Sequence, residues 1–232
     1  MTSIAIITAR GGSKRIPHKN IKDFCGKPIM AYSIEAALKS GLFDEVMVST
    51  DSLEIAGIAK RYGAHVPFLR SETTSNDYAT TNDVLHEVLS EYEARGIKFD
   101  VMCCIYPTAP FITPEKLKTA LDSLERTTAD SLLPVVSFSF PPQRGMIIRD
   151  DRIGYQFPEY KLSRSQDLEP MYHDCGQFYA CKVEAFRKFK SIVTNNTIPL
   201  ILPETEVQDI DTESDWQIAE MKYRLMKQRE GK

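Results

Sequence analysis

Ten consecutive residues near the start of the chain, Arg10-Gly11-Gly12-Ser13-Lys14-Arg15-Ile16-Pro17-His18-Lys19, carry four cations and two glycines directly behind the apolar run Ile4-Ala5-Ile6-Ile7. An apolar run that stops at glycines and then turns basic reads as a buried strand opening into a phosphate-gripping loop. Gly11 and Gly12 let the backbone approach a ligand closely and turn amide N–H groups toward it. Arg10 and Arg15 offer planar donor forks, while Lys14 and Lys19 offer compact point charges. That density of cations suits a nucleoside triphosphate better than a single phosphate; the bland alternative is an ordinary basic surface loop. Neither a G-x-G-x-x-G run nor a Walker loop is present, since Gly26-Lys27 lacks the earlier glycine and the following Ser or Thr.

A second constellation stands near the end of the chain, Val207-Gln208-Asp209-Ile210-Asp211-Thr212. In an extended segment, positions i and i+2 share a face, so Asp209 and Asp211 would present two carboxylates side by side. With triphosphate oxygens and waters these describe a Mg²⁺ site, because Mg²⁺ usually keeps few protein ligands. Spacing alone leaves open that Asp211 merely caps the helix that follows. Tyr106-Pro107-Thr108-Ala109-Pro110 follows an apolar run at the place where such sheets hold ligands. Taken alone, Arg70 reads as a surface arginine, His173 as either a satisfied structural histidine or a site residue, and Cys175 as a buried small residue.

The elements that must position these residues alternate. A helix is predicted from Lys27-Pro28 to about Ser40 with Gly41 as its stop, then a strand over Glu45–Thr50. Asp51 is expected to cap the next helix, with Glu54 completing a capping box and Gly63 ending it. An extended piece over His65–Leu69 leads to a helix over about Thr80–Arg95 and a strand over Phe99–Tyr106. A helix opening at Thr113-Pro114, a strand over Ser131–Val136, a strand around Gln177–Cys181 and a last helix over about Glu213–Arg229 complete the set. Such alternation specifies an α/β fold with a three-layer, doubly wound, mostly parallel sheet. Trp216, Ala219 and Tyr223 fall at helical spacing and are packing residues. Cys103 and Cys104 should point to opposite faces of their strand. From Phe138 to about Tyr172 the rhythm breaks, with Pro141, Pro142, Pro158 and Pro170. This divides the chain into a core of residues 1–137 and 173–232 and an insertion of residues 138–172, which is too long for a simple connection. Composition alone leaves a flexible loop as its alternative.

The 232 residues, 42% apolar, suffice for one large domain or a domain with an appendage. A net charge of −3 argues against a nucleic acid polymer as partner. No apolar stretch is long enough to span a bilayer and the N-terminus lacks a signal-peptide pattern, so a cytoplasmic protein with no membrane partner is expected. Five cysteines without C-x-x-C spacing indicate neither a disulfide framework nor a zinc site.

The run from Ala9 to Asn20 resembles the signature A-R-x-x-S-K-x-x-P-x-K-N of the cytidylyltransferases that activate nonulosonic acids, the sialic acid synthetase family, and matches every fixed position. Within the family the resemblance is nearest to the pseudaminic acid enzymes, through the form Tyr172-His173-Asp174-Cys175-Gly176-Gln177-Phe178-Tyr179. Where sialic acid enzymes carry Gln before P-T-S-P and Leu-Arg after it, this chain has Tyr106, Ala109 and Phe111-Ile112. The resemblance implies a nucleotide-diphospho-sugar transferase-like fold and transfer of CMP from CTP to the anomeric hydroxyl of the sugar acid, with pyrophosphate released. It implies Lys14, Lys19 and Asp211 as catalytic, and Arg10, Gly11, Gly12, Ser13, Asn20, Arg70, Asp77 and Thr80 around CTP, with Arg70 on cytosine. It assigns Tyr106, Thr108, Arg164, His173, Asp174, Gln177 and Tyr179 to the sugar, and Asp209 and Asp211 to Mg²⁺ within D-x-D-x-x-x-D, whose last member is Asp215. It also implies a homodimer whose insertion covers the partner's sugar site. The readings that compete are a CMP-sialic or CMP-legionaminic acid synthetase, a nucleotide-binding module without turnover, and a nucleotidyltransferase for a sugar-1-phosphate.

Overall fold

The computed structural model describes residues 1–230. Its elements follow in the order β1 (Ser3–Thr8), β2 (Asp23–Phe24), β3 (Lys27–Pro28), α1 (Ile29–Ser40), β4 (Glu45–Ser49), α2 (Leu53–Arg61), α3 (Glu72–Ser75), α4 (Thr81–Ala94), β5 (Val101–Ile105), α5 (Pro114–Arg126) and β6 (Ser131–Ser137). After β6 come β7 (Met146–Arg149), β8 (Arg152–Tyr155), β9 (Tyr172–Asp174), β10 (Phe178–Lys182), α6 (Val183–Phe189), β11 (Thr197–Ile201) and α7 (Glu213–Glu230). The central sheet has the order β11-β6-β10-β5-β1-β4, with β9 also paired to β6. β1 runs parallel to both β4 and β5, and β11 parallel to β6, whereas β10 is antiparallel to β5 and β6. The sheet is thus mixed but mostly parallel, as its near-continuous apolar strands require when both faces are covered.

The period of two in the strands divides the core. Ala5, Ile7, Val48, Cys103 and Ile105 pack with Met30 and Ile34 of α1, Ile55 of α2 and Leu117 of α5 on one face. Ile4, Ile6, Met47, Met102 and Cys104 pack with Val84, Leu85 and Val88 of α4 and Phe186 of α6 on the other. Cys103 and Cys104 therefore do lie on opposite faces. Cys104 is fully buried, which raises its thiol to about 12 and leaves it inert. In α7, Trp216, Ala219 and Tyr223 pack onto Phe24, Tyr32 and Phe111, with edge-to-face ring contacts near 5.0–5.6 Å among Phe24, Tyr32, Trp216 and Tyr223.

Most boundaries follow their expected caps. Thr80 and Asp83 form a reciprocal capping box on α4, Thr113 caps α5 ahead of Pro114, and Gly41 closes α1 at φ +62°. Two caps differ. Pro28 stands just before the first turn of α1, paired in the short ribbon of β2 and β3. The cap of α2 is Ser52, whose hydroxyl accepts from the Ile55 N–H; Asp51 is drawn away because its carboxylate accepts a hydrogen bond from another loop.

Residues 138–172 leave and rejoin the sheet at neighbouring points: the Phe138 N–H donates to the Met171 carbonyl, and Ser137 pairs with Tyr172. Between them stands the antiparallel hairpin of β7 and β8, turned by Asp150 and Asp151 at φ +50° and +56°. Positive φ at both turn residues is the twist-matching two-residue hairpin geometry, here without the usual glycine. No helix of the described residues is long and apolar enough to cross a membrane.

Candidate active site

Strand order places a crevice outside the carboxyl ends of β1 and β5, where the chain first steps from β1 to β4 on one side and later returns on the other. A cleft of about 630 Å³ occupies it. Arg10, Ser13, Lys14, Lys19 and Asn20 line it from the loop after β1, Arg70, Asp77 and Thr80 from the segment ahead of α4, and Tyr106 and Thr108 from the loop after β5. These ten residues, scattered over nearly 100 positions, are brought to one wall or another of a single cavity. Gly11, Gly12, Arg164, His173, Asp174, Gln177, Tyr179, Asp209 and Asp211 do not line it.

The loop after β1 is held from within. The Gly11 N–H donates to the Asp51 carboxylate at 2.8 Å, so this amide faces protein rather than an incoming anion as expected from sequence. A Cβ on Gly11 would stand 3.3 Å from that of Ser52, whereas one on Gly12 would meet nothing. Close approach to α2 therefore accounts for the first glycine. The Asn20 side chain, nearly buried, donates to the Arg10 carbonyl at 2.8 Å and closes the loop on itself. The left-handed turn belongs to His18 at φ +52°.

Two carboxylates divide the four cations between them. Asp77 accepts from Arg10 at 2.9 Å and from Lys14, and these bonds, that of Lys14 first, hold its carboxyl below the usual range. Asp211 lies 2.7 Å from Arg15 and 3.6 Å from Lys19, whose ammonium also donates to the Ile210 carbonyl at 2.7 Å. Lys19 thus ties the loop to the aspartate segment across 191 residues of sequence. The capping alternative for Asp211 is excluded: Thr212 and Asp215 exchange hydrogen bonds at the start of α7, and the Asp215 carboxylate also accepts from the Asp211 N–H. Asp215 takes part in that cap through Oδ2, and Asp209 is exposed. Among the described residues no group of three or more His, Cys, Asp or Glu could cage a metal. The Asp211 carboxylate, one-third exposed beside Arg15 and Lys19, fits a hard ion that takes one or two protein oxygens and completes its sphere with other oxygens.

Arg70 is buried, not the surface residue its type suggests. Nε donates to the Ser49 hydroxyl at 3.1 Å and Nη2 to the Ser49 carbonyl at 2.7 Å, locking the guanidinium against the end of β4. Burial lowers its pKa, and the nearby charge of Asp51 opposes that. A fixed planar fork on a cleft wall can recognise a base edge.

Of the residues assigned to the sugar, Tyr106 and Thr108 lie in the cleft. Tyr179 is buried, its ring edge-on to Tyr106 at 5.5 Å and its hydroxyl 2.5 Å from Asp174. Gln177 is buried and donates to the Glu206 carbonyl. His173 is exposed with its ring 4.8 Å from Phe138, and Arg164, within the insertion, pairs with Asp167 at 2.8 Å. Cys175 is buried, as read from sequence, and burial raises its thiol to about 12. Sequence reading missed Asp51, Ser49 and Thr81, which hold Gly11, Arg70 and Tyr106; Asp51 and Ser49 sit at the end of β4, beside β1, where strand-end position was the available signal.

Residues 4–209 match the model of a family described as cytidylyltransferase. The chain is 40% identical over 227 residues, 97% of both chains, to a pseudaminic acid cytidylyltransferase of Campylobacter jejuni. It is 37% identical over 230 residues, 95% of both, to a CMP-N,N'-diacetyllegionaminic acid synthase of Legionella pneumophila. Among solved structures, a CMP:2-keto-3-deoxy-manno-octonic acid synthetase complexed with CTP superposes with a TM-score of 0.71 at 17% identity, covering 99% of this chain and all of that one, a likeness of fold.

Proposed function

The chain belongs to the cytidylyltransferase family, and from that premise we propose that it transfers CMP from CTP to the anomeric hydroxyl of a nonulosonic acid, pseudaminic acid, releasing pyrophosphate. The observation that carries this reading is the convergence of the loop cations, Arg70 and Tyr106 on one cleft within a full-length match. No covalent intermediate is required, so the protein's part is alignment and neutralisation of charge. Lys14 and Lys19 stabilise the α-phosphate and the leaving pyrophosphate. Arg10 assists, and Asn20 keeps the loop in shape through the Arg10 carbonyl. On nucleotide binding, the phosphates replace Asp77 and Asp211 as partners of these cations. Asp211 and Asp209 would hold Mg²⁺, which would supply Lewis-acid polarisation of the phosphates. A cytoplasmic location and a homodimer, with the insertion of one protomer covering the acceptor site of its partner, complete the reading.

Arg70 sets the base. Its donors match the O2 and N3 acceptors of cytosine and meet the N3–H of uracil unfavourably. Arg70→Lys should raise KM for CTP by about 10- to 100-fold and narrow the preference over UTP, because an ammonium cannot keep both Ser49 bonds and a flat donor edge. Initial-rate kinetics with both nucleotides check this; an unchanged KM for CTP removes Arg70 from the base site.

The function itself is tested by pyrophosphate release from CTP, Mg²⁺ and a panel of 2-keto sugar acids. Pseudaminic acid should be turned over with the highest kcat/KM. Equal use of sialic or legionaminic acid would overturn the choice of sugar and leave the nucleotide chemistry standing; release with a sugar-1-phosphate alone would overturn both.

A further inference from the structure

Tyr106 is held from four directions, the first being the Ser33 hydroxyl, which donates to its carbonyl at 2.8 Å. Its N–H donates to the Gln177 carbonyl at 2.8 Å, its hydroxyl lies 3.3 Å from that of Thr81, and its ring stands edge-on to Tyr179. Tyr179 is buried, and its hydroxyl is tethered to Oδ2 of Asp174. Oδ1 of the same carboxylate accepts from the Gly176 N–H at 2.7 Å, fixing a turn that Gly176 completes at φ +60°. The turn leads into Gln177, whose carbonyl receives Tyr106 at the end of the β5–β10 ladder, so one carboxylate braces the ring contact directly and the approach to the backbone contact. Both Asp174 oxygens are engaged in this and neither Asp174 nor Tyr179 lines the cleft. We propose that Asp174 and Tyr179 are positioning residues that fix the Tyr106 ring as the acceptor-discriminating wall of the cleft and do not themselves touch the sugar acid. The proposal rests on the cytidylyltransferase reading for its substrate, and on geometry for the rest.

Steady-state kinetics with CTP, Mg²⁺ and pseudaminic acid on Tyr179→Phe, Asp174→Ala and Asp174→Asn test it, with thermal unfolding to verify the fold. Asparagine can keep the turn with its oxygen and donate to the Tyr179 hydroxyl with its amide, so it preserves the geometry while removing the charge. Misplacing a contact group by about 1 Å can cost about 100-fold. Tyr179→Phe and Asp174→Ala should therefore lose about 10- to 100-fold in kcat/KM for the acceptor, with KM for CTP within about 2-fold. Asp174→Asn should remain within about 3-fold of the wild type. Asp174→Asn failing as badly as Asp174→Ala would mean that the charge meets the substrate, and Tyr179→Phe behaving as wild type would remove the tether; either overturns the proposal. A wild type inactive on every sugar acid would instead sink the functional reading. A crystal structure of Tyr179→Phe then decides the tether: a displaced Tyr106 ring supports it and an unmoved one overturns it.

Discussion

Asp211→Ala is expected to lower kcat by about 1000-fold or more, close to 4 kcal/mol of transition-state stabilisation, while the protein stays folded. On the proposed metal role, loss of the carboxylate would remove one of the few protein oxygens open to Mg²⁺, and the deficit would fall on the step in which charge moves onto pyrophosphate. The fold should tolerate it. Arg15 is two-thirds exposed, so its pairing with Asp211 is screened and contributes at most about 1 kcal/mol. Lys19 keeps the Ile210 carbonyl, and the cap of α7 rests on Thr212 and Asp215. Tm should therefore move by only about 2–4 °C. Asp209→Ala should reduce turnover strongly but less, since this exposed side chain makes no ion pair with the loop. Two readouts separate a metal ligand from a residue that merely orders cations. The Mg²⁺ concentration for half-maximal rate should rise in Asp209→Ala, and EDTA should abolish wild-type activity. Full activity in EDTA would sink the metal role for both aspartates.

The sequence made some features legible and hid others for physical reasons. The layers were readable because strand alternation and helix caps are local: Thr80, Thr113 and Gly41 mark their helix ends with their own side chains or φ. The cation loop was readable because its chemistry is dense and contiguous. What stayed hidden depends on contacts between distant segments. Asp51 carries a helix-capping pattern, yet the neighbouring loop after β1 offers it the Gly11 N–H and Ser52 takes the cap. The exposure of Arg70 could not be judged by residue type, because its burial is secured by Ser49 on a strand 21 residues earlier. Tyr179 is the last member of the motif assigned to the acceptor, and antiparallel register with β5 sets it opposite Cys104, on the buried face under α4, a burial that the motif alone does not show. The hairpin of β7 and β8 was missed because its turn is Asp-Asp, without the glycine that usually announces positive φ.

That hairpin supports the last expectation. Met146 and Ile148 pair across it with Tyr155 and Ile153 respectively, so these four side chains share one face. Ile148 is 73% exposed and Ile153 68%, with Met146, Phe140 and Leu162 also open to solvent. An isolated two-stranded ribbon is marginal in water, and a contiguous apolar face of this kind marks an interaction surface. A second copy of the chain is the proposed occupant, since the insertion that bears the hairpin also carries Arg164, assigned to an acceptor site that its own cleft does not bring it to. Ile148→Asp combined with Ile153→Asp should place like charges directly opposite each other, within the proposed interface. The expected result is a monomer at micromolar concentration by light scattering, with acceptor binding lost and CTP binding retained, because none of the residues lining the cleft belongs to the insertion. Melting of the core should be little changed, as neither isoleucine belongs to its buried clusters. A wild type that is itself monomeric at that concentration, or a variant that stays dimeric and active, would remove the insertion from the interface.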